Sequence, residues 1–270
     1  MAEQILPTKK YSGNCHCGLF RFTFEHAELQ EASECNCSIC TRNGYIFSAP
    51  LAPETVEVTR GEGQLKEYLF GKKEYGHFFC PRCGTSVWVQ EADKKLQLNL
   101  RTLQDFDVKS LKINQDDWLS VKPPYEAPTA FPELPAMTET SNEYMVYHST
   151  CHCQHTRLSI RCKPLETLKL MSCNCSLCSR NGDLWIYPPK GDVAIAGEES
   201  LVGYAFLSDK SLHTFCGNCG CSLFVRVLDD DEDVCPVNVR CFVDIEPKLA
   251  GLERQFYNGM ANAPTYALMD

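Results

Sequence analysis

Wherever the chain has a regular apolar pattern, that pattern has a period of two. In residues 19–25, LFRFTFE, the rings of Phe20, Phe22 and Phe24 fall on one face with polar residues between them. The runs VWVQ (87–90), LQLNL (96–100), LFVRV (223–227) and VNVRCFV (237–243) alternate in the same way. Such segments are expected to be half-buried strands. A period of 3.6 is nowhere sustained, although HAELQEA (26–32) is expected to form a helical turn. The prediction is a mostly β chain of short antiparallel strands.

The cysteines between these strands occur twice in one order. The first half reads Cys15-His16-Cys17, then Cys35, Cys37 and Cys40 in CNCSICTRNG, then His77 followed by Cys80-Pro81-Arg82-Cys83-Gly84. The second half reads Cys151-His152-Cys153, then Cys173, Cys175 and Cys178 in CNCSLCSRNG, then His213 followed by Cys216-Gly217-Asn218-Cys219-Gly220. Asn99 to Arg101 (NLR) recurs as Asn238 to Arg240 (NVR). This is a tandem duplication. Residues 121–145 carry five prolines, which oppose both helix and central strand. They suggest a semi-rigid connector. The expected division is a first domain at 10–135, a linker at 136–143 and a second domain at 144–270.

Composition narrows the chemistry. The 270 residues are 44% hydrophobic and 23% charged, with a net charge of −9. An acidic chain without a basic patch argues against nucleic-acid binding. No apolar run reaches the roughly 20 residues of a membrane span, and no secretory leader is visible, so a cytoplasmic protein is expected. Eighteen cysteines are unusual in that setting. Fourteen of them lie in C-x-C, C-x-C-x-x-C and C-x-x-C clusters, which in a reducing compartment point to zinc rather than disulfides.

Ligand counting separates two kinds of site. C-x-C places two thiolates together, and C-x-x-C-G closes a knuckle around one ion. Pairing them gives closed four-thiolate sites from Cys15, Cys17, Cys80 and Cys83, and from Cys151, Cys153, Cys216 and Cys219. The first half has seven cysteines, so Cys35, Cys37 and Cys40 have no fourth within their own domain. Cys173, Cys175 and Cys178 follow the same design, although Cys162 or Cys241 could complete them. Three protein ligands and an open fourth position is the layout of a catalytic or substrate-binding zinc. Three thiolates make that zinc a weak Lewis acid, better suited to holding an exogenous thiol than to activating water. A thiolate so held is a nucleophile for a small electrophile.

GNCHCG, CNCSICTRNG and FCPRCG together resemble the glutathione-dependent formaldehyde-activating enzyme family, which includes the centromere protein V type. The resemblance spans nearly the whole chain, once per half. It implies a β-tent fold of stacked antiparallel sheets, with one structural and one catalytic zinc per domain. It also implies addition of glutathione to formaldehyde, a carbon–sulfur lyase reaction run in reverse, with glutathione as cosubstrate. By motif match Cys35, Cys37, Cys40, Cys173, Cys175 and Cys178 take the catalytic role, and the first copy, which matches better, is expected to carry the activity. Gln154 replaces Gly18 in the second copy, whose wording is nearer the centromere protein V branch; there a zinc-structured interaction module without catalysis is the alternative function.

Other positions stay open between two readings. Arg42 and Arg180 either hold a substrate carboxylate or cap a turn. His16 and His152 are expected at the surface or beside the ligands. His77 and His213 are either ordinary strand histidines or proton carriers near the open zinc. Asn99, Arg101, Asn238 and Arg240 line either a site edge or the surface. The acidic run 229–233 lacks the spacing of a calcium loop.

Overall fold

The computed structural model describes residues 7–120, 125–136, 143–206, 208–262 and 266–268. Positions 137–142 of the expected linker lie outside the described residues. The first copy begins with β1 (Lys9–Asn14), β2 (Arg21–His26), β3 (Glu31–Cys35) and the short helix α1 (Ser38–Asn43). It continues through β4 (Val56–Arg60), β5 (Lys66–Tyr68), β6 (Tyr75–Phe79), β7 (Ser86–Glu91), β8 (Leu96–Leu98) and β9 (Lys112–Asp116). The second copy repeats this with β10 (Met145–Thr150), β11 (Arg157–Cys162), β12 (Leu170–Cys173), α2 (Ser176–Asn181), β13 (Trp185–Ile186) and β14 (Val193–Ala196). It ends with β15 (Leu201–Phe206), β16 (Ser208–Cys216), β17 (Ser222–Val227), β18 (Val237–Asn238) and β19 (Arg254–Tyr257). The chain is mostly β, as the alternation predicts.

Each copy sets a three-stranded sheet, β1-β2-β4 or β10-β11-β14, against a longer one. The longer sheet of the second copy runs β15-β16-β17-β18-β13-β12-β19. In the first copy the same path is split into β5-β6-β7-β8 and β3-β9, linked through bridges of Phe47 to Ser33 and to Asn99. Phe20, Phe22 and Phe24 are 2%, 0% and 3% exposed, confirming the inward face of β2. The sheets are antiparallel except for two pairs, β3 with β9 and β12 with β19, which are parallel. Each brings the far end of its copy back beside the first cysteine of the three-cysteine cluster, pairing Cys35 with Asp116 and Cys173 with Tyr257.

The expected helical turn at 26–32 is absent: these residues finish β2 and begin β3. Ladder bonds to Lys112–Asp116 satisfy the backbone there, which a single isolated turn could not do as well. The two short helices form instead on the cysteine clusters.

The two copies close on each other, and several contacts across the interface are made twice. Gly84 ends one knuckle with φ +74°, and a Cβ there would lie 2.6 Å from the Phe215 ring. Gly220, at φ +77°, would meet Phe79 at 2.7 Å. Only glycine allows that conformation and that approach together. The apolar core that fills the second copy continues through Tyr45, Phe47, Tyr68, Phe79 and Val89 of the first. The proline-rich segment lies along β11 rather than hanging free. Carbonyls of Ala130, Pro132 and Pro135 accept from Arg157, Ser159 and Arg161, and Phe131 stacks on His148 at 4.2 Å.

Candidate metal and substrate site

The turn from β1 to β2 carries Cys15 and Cys17, and the knuckle from β6 to β7 carries Cys80 and Cys83. Their four sulfurs lie within 4.8 Å of one another, as do those of Cys151, Cys153, Cys216 and Cys219. The separations Cys15–Cys17 and Cys17–Cys80 are 3.7 and 3.6 Å; Cys151–Cys153 and Cys153–Cys216 are 3.6 and 3.5 Å. A tetrahedron of Zn–S bonds about 2.3 Å long has sulfur–sulfur edges of about 3.8 Å. Both sets fit an ion of that size. In the second turn Gln154 adopts φ +65°, where the first has Gly18 at +70°. Its side-chain amide donates to the Glu126 carbonyl at 2.7 Å, which ties down a backbone that disfavours a side chain.

In the other cluster the strand ends on Cys35 or Cys173, the next cysteine, Cys37 or Cys175, is the N-cap of the helix, and Cys40 or Cys178 lies one turn on. The left-handed caps Gly44 and Gly182, at φ +57° and +64°, stop each helix after six residues. Three sulfurs again lie within 4.8 Å, and among the described residues no fourth cysteine, histidine or carboxylate joins either group. Cys162 and Cys241, like the other spare cysteines of the second copy, Cys221 and Cys235, are buried elsewhere, with Cys241 Sγ on the Ser222 carbonyl at 3.2 Å. Three thiolates suit a soft borderline cation such as zinc, with one coordination position left for another ligand.

The second cluster is the better solvated and the better supported. The indole N–H of Trp185 donates to Cys178 Sγ at 3.4 Å, where the first copy has Phe47 at the matching place. Hydrogen bonds from Cys175 and Cys178, with the backbone N–H groups of Cys175 and Gly259, pull the Cys173 thiol down to about 3. A cavity of about 330 Å³ opens on Cys173, Cys175 and Cys178, with Trp185, His213 and Tyr257 in its wall. A second, of about 550 Å³, reaches Cys173 and Cys178 from the domain boundary and is lined by Arg101, Arg180, Arg240 and Arg254. Three buried polar atoms without a hydrogen-bond partner among the described residues, Arg180 Nε, Asp183 Oδ2 and His213 Nδ1, belong to residues lining these two cavities. Burial raises the Asp183 carboxyl to about 7 and lowers His213 to about 4.

The arginines and histidines left open by the sequence separate cleanly. Arg42 is fully buried, paired to Glu246 of the second copy at 2.8 Å, with Tyr125 over its guanidinium at 4.4 Å. Its place is in the domain interface, where no substrate carboxylate reaches it. Arg180 stacks on Tyr266 at 4.9 Å, bonds the Ser176 carbonyl and has no ion pair among the described residues. Arg101 and Arg240 are neither a strand face nor surface. They follow capping Asn99 and Asn238 in 3-10 turns and cross the interface, reaching the Ser179 and Thr41 carbonyls at 3.4 and 3.2 Å.

His16 and His152 do point away from their cysteines, but that direction is the interface, not water. His16 meets Ser176 at 3.0 Å and Tyr204 at 2.9 Å; His152 meets Ser38 at 3.1 Å and Tyr68 at 2.8 Å. Each closed cluster therefore touches the helix that carries the other copy's open cluster. Burial first, then Arg180 or Arg42, lowers both histidines to about 3. His77 lies against Tyr45, 3.3 Å from its hydroxyl. Trp185, Tyr257 and Gly259 were missed in the sequence. The signal was available as a difference between the repeats, since Phe47, Asp116 and Trp118 occupy the corresponding places.

The profile of the glutathione-dependent formaldehyde-activating enzyme family matches residues 10–120 and again 146–258. A crystal structure of a Rhodobacter sphaeroides protein, determined as a structural-genomics target, is 28% identical, covers 39% of this chain and 99% of its own, and superposes with a TM-score of 0.35. Two full matches in one chain agree with the duplicated cysteine clusters and with the doubled sheets. The chain belongs to the glutathione-dependent formaldehyde-activating enzyme family, in two tandem copies.

Proposed function

We propose that the protein is a zinc-dependent enzyme of the carbon–sulfur lyase type that adds a thiol, such as glutathione, to formaldehyde or a related small electrophile. The observation that carries this reading is a cluster of three thiolates without a fourth protein ligand, set between a cationic cavity and an aromatic one. Zinc held by Cys173, Cys175 and Cys178 would supply a soft position that keeps an incoming thiol deprotonated at neutral pH.

The chain's own residues do the rest. Arg180, Arg101, Arg240 and Arg254 face the larger cavity and bind the carboxylates of a tripeptide thiol. Trp185 donates to Cys178 and so withdraws part of its charge. His213, neutral at pH 7, presents an unpartnered Nδ1 that can take the thiol proton and return it to the carbonyl oxygen. No helix among the described residues is long and apolar enough to cross a membrane. A reducing cytoplasm, which keeps all eighteen cysteines as thiols, is the setting we assign.

The test uses zinc-loaded protein with glutathione and formaldehyde, following formation of the adduct by exchange NMR above the uncatalysed rate. The double variant Cys37→Ser/Cys175→Ser should lose that acceleration and stay folded. Cys17→Ser/Cys153→Ser should lose stability instead, because metal binding at a closed site is folding energy. A purely structural module would show no acceleration, and no change in the zinc X-ray absorption spectrum on adding glutathione.

A further inference from the structure

The duplication makes each domain a control for the other, and the differences between them gather around the open cluster. Cys35 pairs with Asp116, whereas Cys173 pairs with Tyr257. Two residues on, Trp118 of the first copy corresponds to Gly259 of the second. A Cβ at Gly259 would stand 2.5 Å from Cys173 Sγ and 3.0 Å from Cys175 Cβ, so that position is kept bare over the sulfurs. Phe47 becomes Trp185, and two residues further Ala49 becomes Tyr187. Gln97, preceding Leu98 of β8, becomes Pro236, preceding Val237 of β18. Every one of the four second-copy replacements other than glycine adds apolar or aromatic surface to the wall of the same 330 Å³ cavity.

That volume far exceeds what the two heavy atoms of formaldehyde need. Two of its aromatic walls reach solvent, Tyr187 and Tyr257 being 51% and 47% exposed; Phe256 and Met260, 56% and 69% exposed, line the larger cavity beside it. Aromatic side chains left this open around a concave site mark a surface built for an apolar ligand.

Resting on the function proposed above, we infer that the second domain holds the working site, and that its electrophile is an aldehyde bearing a flat apolar group. The thiol enters from the arginine-lined side, and the apolar group lies between Trp185, Tyr257 and Pro236. In the step itself the thiol S–H bond breaks, a carbon–sulfur bond forms and the carbonyl π bond opens. The proton ends on the former carbonyl oxygen, so the hemithioacetal contains every atom of both reactants and nothing is oxidised or reduced. The closer motif match of the first copy does not extend to the residues over its cluster, where Asp116 and Trp118 take the places of Tyr257 and Gly259.

The test is calorimetric, on the zinc-loaded full chain, with two unreactive probes, S-benzylglutathione and S-methylglutathione. The benzyl conjugate should bind roughly tenfold or more tightly, the value of burying one aromatic ring, at one site per chain. Tyr257→Asp should reduce that ratio to about twofold, Tyr257→Phe should restore it, and Gly259→Trp should abolish the site. Equal affinities, two equivalent sites, or a benzyl preference indifferent to Tyr257→Asp would overturn the inference. Benzaldehyde and formaldehyde, each offered with glutathione, separate the two levels. Formaldehyde turnover with equal conjugate affinities sinks only the apolar-substrate inference. A benzyl preference without turnover of either aldehyde sinks only the enzymatic reading.

Discussion

Glu246→Ala should strand a guanidinium in the core and destabilise the whole chain by about 3–5 kcal/mol. The pair lies between α1 of the first copy and the second copy, with side chains 0% and 7% exposed and Nη1 2.8 Å from Oε1. Arg42 would retain the Ser38 and Thr150 carbonyls at 2.8 and 3.3 Å and the Tyr125 ring, but no counter-ion. Its Nη2 has no hydrogen-bond partner among the described residues, so no second anion offsets the charge. For a chain of this length the loss corresponds to a fall in Tm of about 10 °C. Chemical denaturation of zinc-loaded protein, read by tryptophan fluorescence, measures it. Glu246→Gln keeps an acceptor and should lose less. The counterpart position supplies the control: Asp107 caps a 3-10 turn through the Lys109 N–H, so Asp107→Ala should cost no more than about 1 kcal/mol. A loss below about 1 kcal/mol for Glu246→Ala would show that water reaches Arg42, and that the copies do not close as described.

Asp183 provides a pH test. Its folded-state pKa of about 7 lies above the ordinary value of 3.8, so the folded chain keeps a proton that the unfolded chain releases. Stability from this group is full below about pH 4 and is lost as pH rises through 7. Asp183→Asn should remove that loss and gain as much as about 4 kcal/mol at pH 8 relative to wild type, with little gain at pH 4; parallel urea midpoints across that range would refute it. Chelation should separate the metal classes. A mild chelator should empty the two three-cysteine clusters before the two four-cysteine clusters, leaving the β-sheet circular dichroism unchanged, and simultaneous loss of all metal and fold would show that the classes do not differ.

Most of the cysteine clustering was legible in the sequence, because the sulfurs of each motif are local. C-x-C, C-x-x-C-G and C-x-C-x-x-C bring their sulfurs together through single turns, and counting seven cysteines in the first half was enough to expect an incomplete cluster. Alternation at Phe20, Phe22 and Phe24 fixed a strand and its inward face for the same reason. Repetition of the whole pattern established two copies.

Only the tertiary structure decided what each polar side chain faces. Arg42 and Arg180 occupy equivalent places in identical-looking motifs. One meets Glu246 and is sealed in the interface, while the other has no ion pair among the described residues and lines a cavity. His16 and His152 turn away from their sulfurs as expected, yet that side is dry because the other copy covers it. The parallel pairings of Cys35 with Asp116 and Cys173 with Tyr257 join residues 81 and 84 positions apart, and so set which side chain stands over each cluster. Local spacing determines which atoms can hold a metal; contacts between distant segments and between the two copies determine what can reach it.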